Sequence, residues 1–303
     1  MTWYPIDKTE RCLMHNSAGV AYESLPCLYE NTIGLTYTSI EKGYNPINVR
    51  DSMTENPWVP VLAIAMYGIM IGVGRTYFST REAWSWRTAL ALWNLGLSVF
   101  SLIGFCRVAP QLIHNLYHYS LSENVCFDPE QMYGSDRMVG TWVQLFVLSK
   151  FPELIDTFFI VIHKKPLILL HWYHHISVLA YCWHSYVTKA PPGIVFCVMN
   201  YAVHAIMYFY YFLMAVKRKP KWFNSMYITV SQISQMVVGV IVTILGFVVP
   251  PLYTSSTGNE CHIKKENNAA ALIMYGSYLM LFLQFFFKRY SGKGGKTKAT
   301  KKD

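Results

Sequence analysis

Seven apolar runs occupy most of this 303-residue chain, and they constrain its fold more than any other feature. Most of them reach the roughly 20 residues that a helix needs to cross the hydrocarbon core of a bilayer. The runs cover residues 57–74, 88–106, 138–162, 166–187, 192–216, 223–249 and 268–287. The third run contains Lys150, Glu153 and Asp156, but apolar residues flank these charges on both sides. The sequence therefore predicts an all-α fold, a polytopic membrane helix bundle with about seven transmembrane helices.

The composition also indicates a membrane protein. Hydrophobic residues make up 53% of the chain and charged residues only 14%, which is unlike a soluble domain. The net charge of +9 could suggest nucleic acid, but the lysines and arginines stand in short loops between apolar runs, where they set topology. We therefore expect no nucleic-acid partner. We also expect no cleavable signal peptide, because residues 1–56 lack a leading apolar core.

The distribution of basic residues predicts the orientation of the bundle. Sixteen of the 26 lysines and arginines follow the first, third, fifth or seventh run, and nine lie on the other side. The positive-inside rule places the larger set in the cytosol. This divides the chain into a non-cytosolic N-terminal segment (1–56), a transmembrane domain (57–290) and a basic cytosolic tail (291–303).

Four cysteines fall on the predicted non-cytosolic side, where disulfides persist. They are Cys12, Cys27, Cys126 and Cys261. Cys126 and Cys261 are the natural pair, because a bond between them would tie two loops across the bundle. The sequence alone leaves the connectivity open.

The fourth run carries three histidines at helical spacing. His171, His174 and His175 occupy positions i, i+3 and i+4, so a helix presents their imidazoles on one face. Ionisable residues at membrane depth are costly, and they usually face a cavity where they do chemistry. Because packing alone does not explain three imidazoles, the cluster predicts a functional site.

The third and fifth runs carry further polar stripes. Lys150, Glu153 and Thr157 share one face, with Asp156 beside them. The Lys–Glu pair is either a structural ion pair or a carboxylate that orients a neighbouring histidine. In the fifth run, the stripe is Asn200, His204, Tyr208 and Tyr211. It forms either interhelical hydrogen bonds or the wall of an active site.

Two glutamines, Gln232 and Gln235, lie in the sixth run. Amide side chains at membrane depth often form hydrogen bonds between helices. Alternatively, they donate hydrogen bonds to a carbonyl or thioester oxygen in a shared cavity.

Four motifs in fixed order resemble the signatures of the ELO fatty-acid elongases. They are Lys150-xx-Glu153-xx-Asp156-Thr157, His171-xx-His174-His175, His204-xx-Met207-Tyr208-x-Tyr210-Tyr211 and Thr229-xx-Gln232-xx-Gln235. The resemblance covers residues 57–290, and it implies an ELO-type catalytic domain there. It implies a 3-oxoacyl-CoA synthase that condenses a long-chain acyl-CoA with malonyl-CoA and releases carbon dioxide and CoA. The residues around the motifs resemble the branch that acts on saturated and monounsaturated chains.

This chemistry gives the histidines an expected role. His174 or His175 is the expected nucleophile or base, since a neutral imidazole can attack an acyl thioester or polarise a carbonyl. Cys182, two helical turns after His175, is the alternative nucleophile. The expected supporting residues position substrates, stabilise the enolate or orient the imidazoles: His171, Asn200, His204, Glu153, Asp156 and Lys150.

Substrate binding is expected from two further groups of residues. Tyr208, Tyr211, Gln232 and Gln235 would line the cavity. The basic loop residues Lys164, Lys165, Lys217 and Arg218 would meet the anionic CoA head, although positive-inside topology alone also explains them.

The resemblance also implies a cellular setting. It implies no metal and no cofactor beyond malonyl-CoA as co-substrate. The expected location is the endoplasmic reticulum membrane, with a cytosolic C-terminus. The expected partners are the lipid bilayer, the reductases and dehydratase of the elongation cycle, and a second copy of the chain.

Two other classes of protein match parts of the pattern. His114-xxx-His118 followed by the His171 cluster imitates two histidine boxes of a membrane di-iron desaturase or hydroxylase, but its third box is reduced to His204. A seven-helix transporter or receptor would match the number of runs. It would not need the polar groups gathered in runs three to six.

Overall fold

The N-terminal segment consists of short elements in this computed structural model, which describes residues 12–29 and 35–291. Strands β1 (Leu13–His15) and β2 (Ala21–Glu23) pair antiparallel, and this hairpin is a small addition to the predicted all-α fold. Three short helices follow: α1 (Leu25–Leu28), α2 (Ser39–Gly43) and α3 (Pro46–Glu55). Thr38 and Glu41 form a capping box at the start of α2, and Asn45 caps α3.

Long helices occupy the predicted apolar runs. They are α4 (Trp58–Ser79), α5 (Arg87–His118), α9 (Leu169–Val187), α10 (Gly193–Ala215), α11 (Ser225–Thr257) and α12 (Lys265–Phe286), with the short α6 (Leu121–Cys126) after α5. A π-helical turn (Phe287–Ser291) continues α12. Among the described residues, α4, α5, α10, α11 and α12 are long and apolar enough to cross a membrane. The protein is a polytopic helical membrane protein, and seven crossings stay a prediction.

The third apolar run is a broken helix. A π-helical turn (Glu130–Gly134) precedes α7 (Val139–Ser149), a 3-10 turn (Pro152–Leu154) follows, and α8 (Ile155–Ile162) completes the run. Proline has no backbone N–H, so Pro152 cannot extend the hydrogen-bond ladder of α7. The break places Lys150 and Glu153 between two helices, where they no longer follow one regular helical stripe.

Two helices are longer than the predicted runs. Helix α5 continues to His118, so His114 and His118 stand on a helix rather than beside a loop. Helix α11 continues through Pro250 and Pro251 and ends at Gly258, whose left-handed φ of 74° suits glycine.

Contacts between the connecting segments divide the bundle into two ends. At one end, the Asn16 amide donates to Glu130 at 2.8 Å, and disulfides join Cys12 to Cys27 and Cys126 to Cys261. At the other end, the Trp84 N–H donates to the Ile162 carbonyl at 2.9 Å. The Arg87 guanidinium donates to the Ala215 carbonyl at this same end. The segments therefore alternate between the two ends along the chain, as successive crossings require.

Close packing of α5 against α10 fixes the middle of the bundle. A Cβ atom at Gly104 would lie 2.3 Å from the Tyr201 ring, so only glycine permits this approach. Tyr201 is fully buried, and its hydroxyl donates to the Trp142 carbonyl at 2.9 Å. These contacts hold α7 and α10 together, and both helices contribute to the site.

Candidate active site

The three histidines of α9 form one cluster, but each meets a different neighbour. The ring centroids of His171 and His175 lie 4.5 Å apart, and those of His174 and His175 lie 5.5 Å apart. His171 Nε2 lies 2.9 Å from Thr157 Oγ1. The His174 ring packs 5.0 Å from that of Tyr278. The helix thus spreads the imidazoles over several partners.

A buried ion pair lies beside the cluster. Lys150 Nζ donates to Glu153 Oε1 at 2.6 Å, and both residues are almost completely buried. The same ammonium donates to Asn200 Oδ1 at 3.3 Å, and the Ser149 hydroxyl donates to Glu153 Oε1 at 2.9 Å. The pair therefore neutralises itself and also links the break after α7 to α10.

Two buried polar atoms of the site have no hydrogen-bond partner among the described residues. They are Glu153 Oε2 and His175 Nδ1. Glu153 Oε2 lies 3.9 Å from His204 Nδ1, which is beyond hydrogen-bond distance. Buried polar atoms are rarely left unpaired, so both atoms keep a hydrogen-bonding position at the histidine cluster.

Asp156 acts on tyrosine and tryptophan rather than on a histidine. Its Oδ1 accepts from the Trp93 indole at 2.6 Å and its Oδ2 from the Tyr208 hydroxyl at 2.7 Å. The Tyr208 ring lies 5.3 Å from the His204 ring. Asp156 therefore does not contact an imidazole directly. It binds the Tyr208 hydroxyl, and the Tyr208 ring packs against His204. Glu153 belongs to the 3-10 turn and Asp156 to the first turn of α8, and the two carboxylates have different partners.

A cavity of about 920 Å³, counting its open part, extends from the histidine cluster towards the N-terminal segment. His174, Asn200 and Gln235 line its inner end, and aliphatic and aromatic side chains line most of its length. Along α9, His174 and Tyr186 are twelve residues apart, about 18 Å at 1.5 Å per residue. Both contact the cavity. Its shape is therefore that of a long and mostly apolar chamber with polar groups at the histidine end.

A second polar group lies at the opposite end of the cavity. Glu130 Oε1 accepts from Arg50 Nη1 and from Lys189 Nζ, each at 2.5 Å, while Glu130 Oε2 accepts from Asn16. Burial alone would raise the pKa of Glu130, but the hydrogen bonds and charges of Lys189 and Arg50 hold that pKa below its ordinary value. Glu130 thereby fixes the N-terminal segment to this end of the bundle, where Pro46, Ile47 and Arg50 line the cavity.

The residues predicted to bind substrate lie in different surroundings. Tyr208 is buried beside His204, and Gln235 lines the cavity. Gln232 instead places its amide nitrogen 3.3 Å from the Met207 sulfur. Tyr211 is 48% exposed and stands outside the enclosed wall. It returns to the same helix face as Asn200, but about 16 Å further along the axis.

The predicted CoA-binding residues lie in exposed turns. Lys164, Lys165, Lys217 and Arg218 follow the ends of α8 and α10 and do not line the cavity. Lys164 and Lys217 adopt left-handed φ angles of 51° and 57°. The N–H of the residue after each of them returns to a carbonyl five positions back, which is the Schellman closure that usually carries glycine. A lysine there places positive charge at the negative end of the helix dipole.

Sequence reasoning missed Tyr67, Trp93 and Tyr278. They come from α4, α5 and α12, the helices in which few polar site groups were expected. Aromatic residues make up 16% of the chain, so no spacing distinguishes these three from packing residues. Cys182, the alternative nucleophile, does line the cavity.

The two histidine pairs of the desaturase pattern do not come together. His114 and His118 pack against each other with ring centroids 4.4 Å apart, and His114 Nε2 lies 3.3 Å from Glu23 in the N-terminal segment. His171 belongs to the other cluster, where it contacts Thr157.

The fold and the site define a polytopic membrane protein whose helices enclose a histidine cluster at the end of a long apolar cavity. Residues 52–298 match the family model described as "ELO: GNS1/SUR4 family". The chain therefore belongs to the ELO family, and it is an enzyme of fatty-acid elongation. The match leaves the hairpin, α1, α2 and the first half of α3 outside it.

Relatives over most of the chain carry elongase names. Very long chain fatty acid elongase 6 of Drosophila melanogaster is 44% identical over 81% of this chain and 76% of its own length. The elongase 6 of Homo sapiens is 39% identical over 85% of this chain and 94% of its own. Very long chain fatty acid elongase 3 of Mus musculus is 38% identical over 80% of this chain and 86% of its own.

Proposed function

We propose that this protein catalyses the condensing step of fatty-acid elongation, in which a long-chain acyl-CoA and malonyl-CoA give 3-oxoacyl-CoA, carbon dioxide and CoA. One observation carries the proposal: His174 lines a long and mostly apolar cavity together with Asn200 and Gln235. Such a chamber suits an acyl chain whose thioester lies at the histidines. We also propose saturated and monounsaturated acyl chains as substrates, because the residues around the histidine motif resemble that branch of the family.

His174 is the proposed nucleophile, because it is the histidine of the cluster that lines the cavity. Its imidazole nitrogen attacks the thioester carbonyl, the carbon–sulfur bond breaks, and CoA leaves as a thiolate. Malonyl-CoA then loses carbon dioxide, and the resulting carbanion attacks the acyl carbon and releases the imidazole. The proton transfers of these steps are assigned to His175 and His204.

The amides of Asn200 and Gln235 are the proposed donors to the oxygens that gain charge. Asn200 Oδ1 faces the Lys150 ammonium, so its NH2 group points away and is free to donate. Gln235 lines the same end of the cavity from α11. Donors fixed in this way stabilise an oxyanion without reorganising during the reaction.

The remaining features complete the proposal. The acyl chain extends towards Ile47, and the anionic CoA head meets the basic turns at Lys164, Lys165, Lys217 and Arg218.

No cofactor is used beyond malonyl-CoA. The protein lies in the endoplasmic reticulum membrane with its C-terminus in the cytosol, works with the reductases and dehydratase of the cycle, and forms a homodimer. The excess of basic residues at one end and the disulfides at the other support this orientation.

The test is carbon dioxide release from labelled malonyl-CoA by purified protein, offered saturated and unsaturated acyl-CoAs. We expect release that depends on the acyl-CoA, and His174→Ala should lower it by at least about 100-fold. Mass spectrometry of protein quenched with acyl-CoA alone should find the acyl group on His174. Folded protein that releases no carbon dioxide with any acyl-CoA would overturn the proposal.

A further inference from the structure

A buried hydroxyl chain reaches the histidine cluster from α4. The Tyr67 side chain is 3% exposed, and its hydroxyl lies 2.7 Å from Thr157 Oγ1. Thr157 is fully buried, and the same Oγ1 lies 2.9 Å from His171 Nε2. Three side chains from α4, α8 and α9 thus form one continuous chain of hydrogen bonds.

The direction of the protons follows from the partners. Among the described residues, Thr157 is the one hydrogen-bond partner of the Tyr67 hydroxyl. A buried O–H group is rarely left unpaired, so the phenol donates to Thr157. The threonine hydroxyl carries one hydrogen, which is then directed at His171 Nε2. That nitrogen accepts, and the proton of the neutral imidazole is therefore on Nδ1.

We propose that Tyr67 is a positioning residue which, through Thr157, sets the tautomer and orientation of His171. The His171 ring lies 4.5 Å from the His175 ring, and the Tyr67 ring lies 6.3 Å from it. The chain of hydrogen bonds therefore fixes the two rings, those of Tyr67 and His171, that pack beside His175. Because Thr157 occupies His171 Nε2, His171 supports its neighbour and does not itself attack the thioester.

The kinetic test of this inference rests on the proposed condensation. It predicts separate effects on kcat and on KM. Tyr67 and Thr157 do not line the cavity, so their hydroxyls should not affect substrate binding. Tyr67→Phe keeps the ring and removes only the hydroxyl, and Thr157→Val removes the relay atom with little change of volume. Both variants should lower kcat by about tenfold, at the lower end of the losses seen when a group that orients a histidine is removed. The KM values for acyl-CoA and malonyl-CoA should stay unchanged.

Two variants separate positioning from general stability. Thr157→Ser keeps the relay hydroxyl and should retain the wild-type kcat. Tyr37→Phe is the control, because Tyr37 is a half-buried tyrosine of the N-terminal segment whose hydroxyl donates to Asp136 Oδ2 at 2.8 Å, away from the histidines. It should lower the melting temperature and leave kcat unchanged. The double variant Tyr67→Phe/Thr157→Val should be no slower than Thr157→Val alone, because both changes break one chain.

A direct readout avoids turnover altogether. In protein with 15N-labelled histidine, the His171 signal, assigned by its loss in His171→Gln, should be that of the Nδ1–H tautomer. It should change in Tyr67→Phe and not in Tyr37→Phe. An Nε2–H signal in the wild type, or a wild-type kcat in both Tyr67→Phe and Thr157→Val, would overturn the inference. If the wild type itself releases no carbon dioxide, the proposed function fails, while the tautomer measurement still decides the relay.

Discussion

Glu153 turns one carboxylate oxygen towards Lys150 and leaves the other 3.9 Å from His204 Nδ1. One buried carboxylate therefore balances the ammonium that follows α7 and also faces an imidazole of α10. Lys150 in turn donates to Asn200 Oδ1. The break in the third run therefore contacts two polar residues of α10, Asn200 and His204.

Removal of the Glu153 charge should be strongly destabilising. In Glu153→Gln the buried Lys150 ammonium loses its counter-charge, and breaking such a pair costs about 3–5 kcal/mol. We expect a lower melting temperature and loss of turnover. The double variant Lys150→Met/Glu153→Gln should recover most of the stability without the turnover, and a stable, active Glu153→Gln would refute the role of the pair.

The far end of the cavity should limit acyl length. Ile47 is 5% exposed and lines the cavity, so Ile47→Trp fills space that the end of a long chain would occupy. We expect the longest accepted acyl-CoA to become shorter by at least one two-carbon step, with turnover of shorter chains retained. Ile47→Ala should have the opposite effect.

The matched control is Ile40→Trp, since Ile40 belongs to the same N-terminal segment but is 77% exposed. Its product profile should equal that of the wild type. An unchanged profile in Ile47→Trp would show that the acyl chain does not reach this wall.

The attachment of the N-terminal segment should weaken in acid. The pKa of Glu130 is lower in the folded state than its unfolded value of about 4.3, so the stabilisation is complete above about pH 4.3. It is lost as the pH falls through the lower folded value. We expect the melting temperature to drop over this range.

Glu130→Gln tests the same attachment at neutral pH. The variant removes the negative charge that Arg50 and Lys189 share, although Arg50 keeps its ion pair with Asp51, and the loss should cost about 1–3 kcal/mol. Its melting temperature should be lower than that of the wild type at pH 7 and should fall less steeply on acidification. Parallel curves for the two proteins would assign the acid sensitivity to other groups.

Cys182 should be dispensable for the chemistry. It lines the cavity two turns beyond the histidine cluster, and the proposed reaction uses the His174 imidazole instead of the thiol. Turnover of Cys182→Ala should stay close to that of the wild type with every acyl-CoA. A loss as large as that of His174→Ala would make the thiol the nucleophile.

The sequence predicts the helices well because the apolar runs mark them directly. The spacing of His171, His174 and His175 also predicts a cluster, since i, i+3 and i+4 always share a helix face. The partners of these histidines were not predictable. Tyr67 and Tyr278 come from distant helices, and only the packing of α4 and α12 against α9 reveals them.

Two predicted site residues show what helical periodicity leaves open. Asp156 lies beside the Lys150 stripe as predicted, but its partners Trp93 and Tyr208 come from α5 and α10, which no periodicity within the third run can indicate. Tyr211 has the predicted angle around α10 but lies beyond the side chains that enclose Asn200. Periodicity gives the angle of a residue around its axis, whereas depth depends on the neighbouring helices.

The disulfide between Cys126 and Cys261 has a consequence for the order of assembly. The two cysteines are 135 residues apart, and every histidine of the cluster, the Lys150–Glu153 pair and Asn200 lie between them. The bond can close only when both thiols have reached the same side of the membrane, so the intervening chain must cross an even number of times. Closure also waits until α7 to α11 have been synthesised. The disulfide therefore forms only after these helices have been made and inserted. Thiol labelling of the nascent protein would distinguish chains that have completed the catalytic bundle from those that have not.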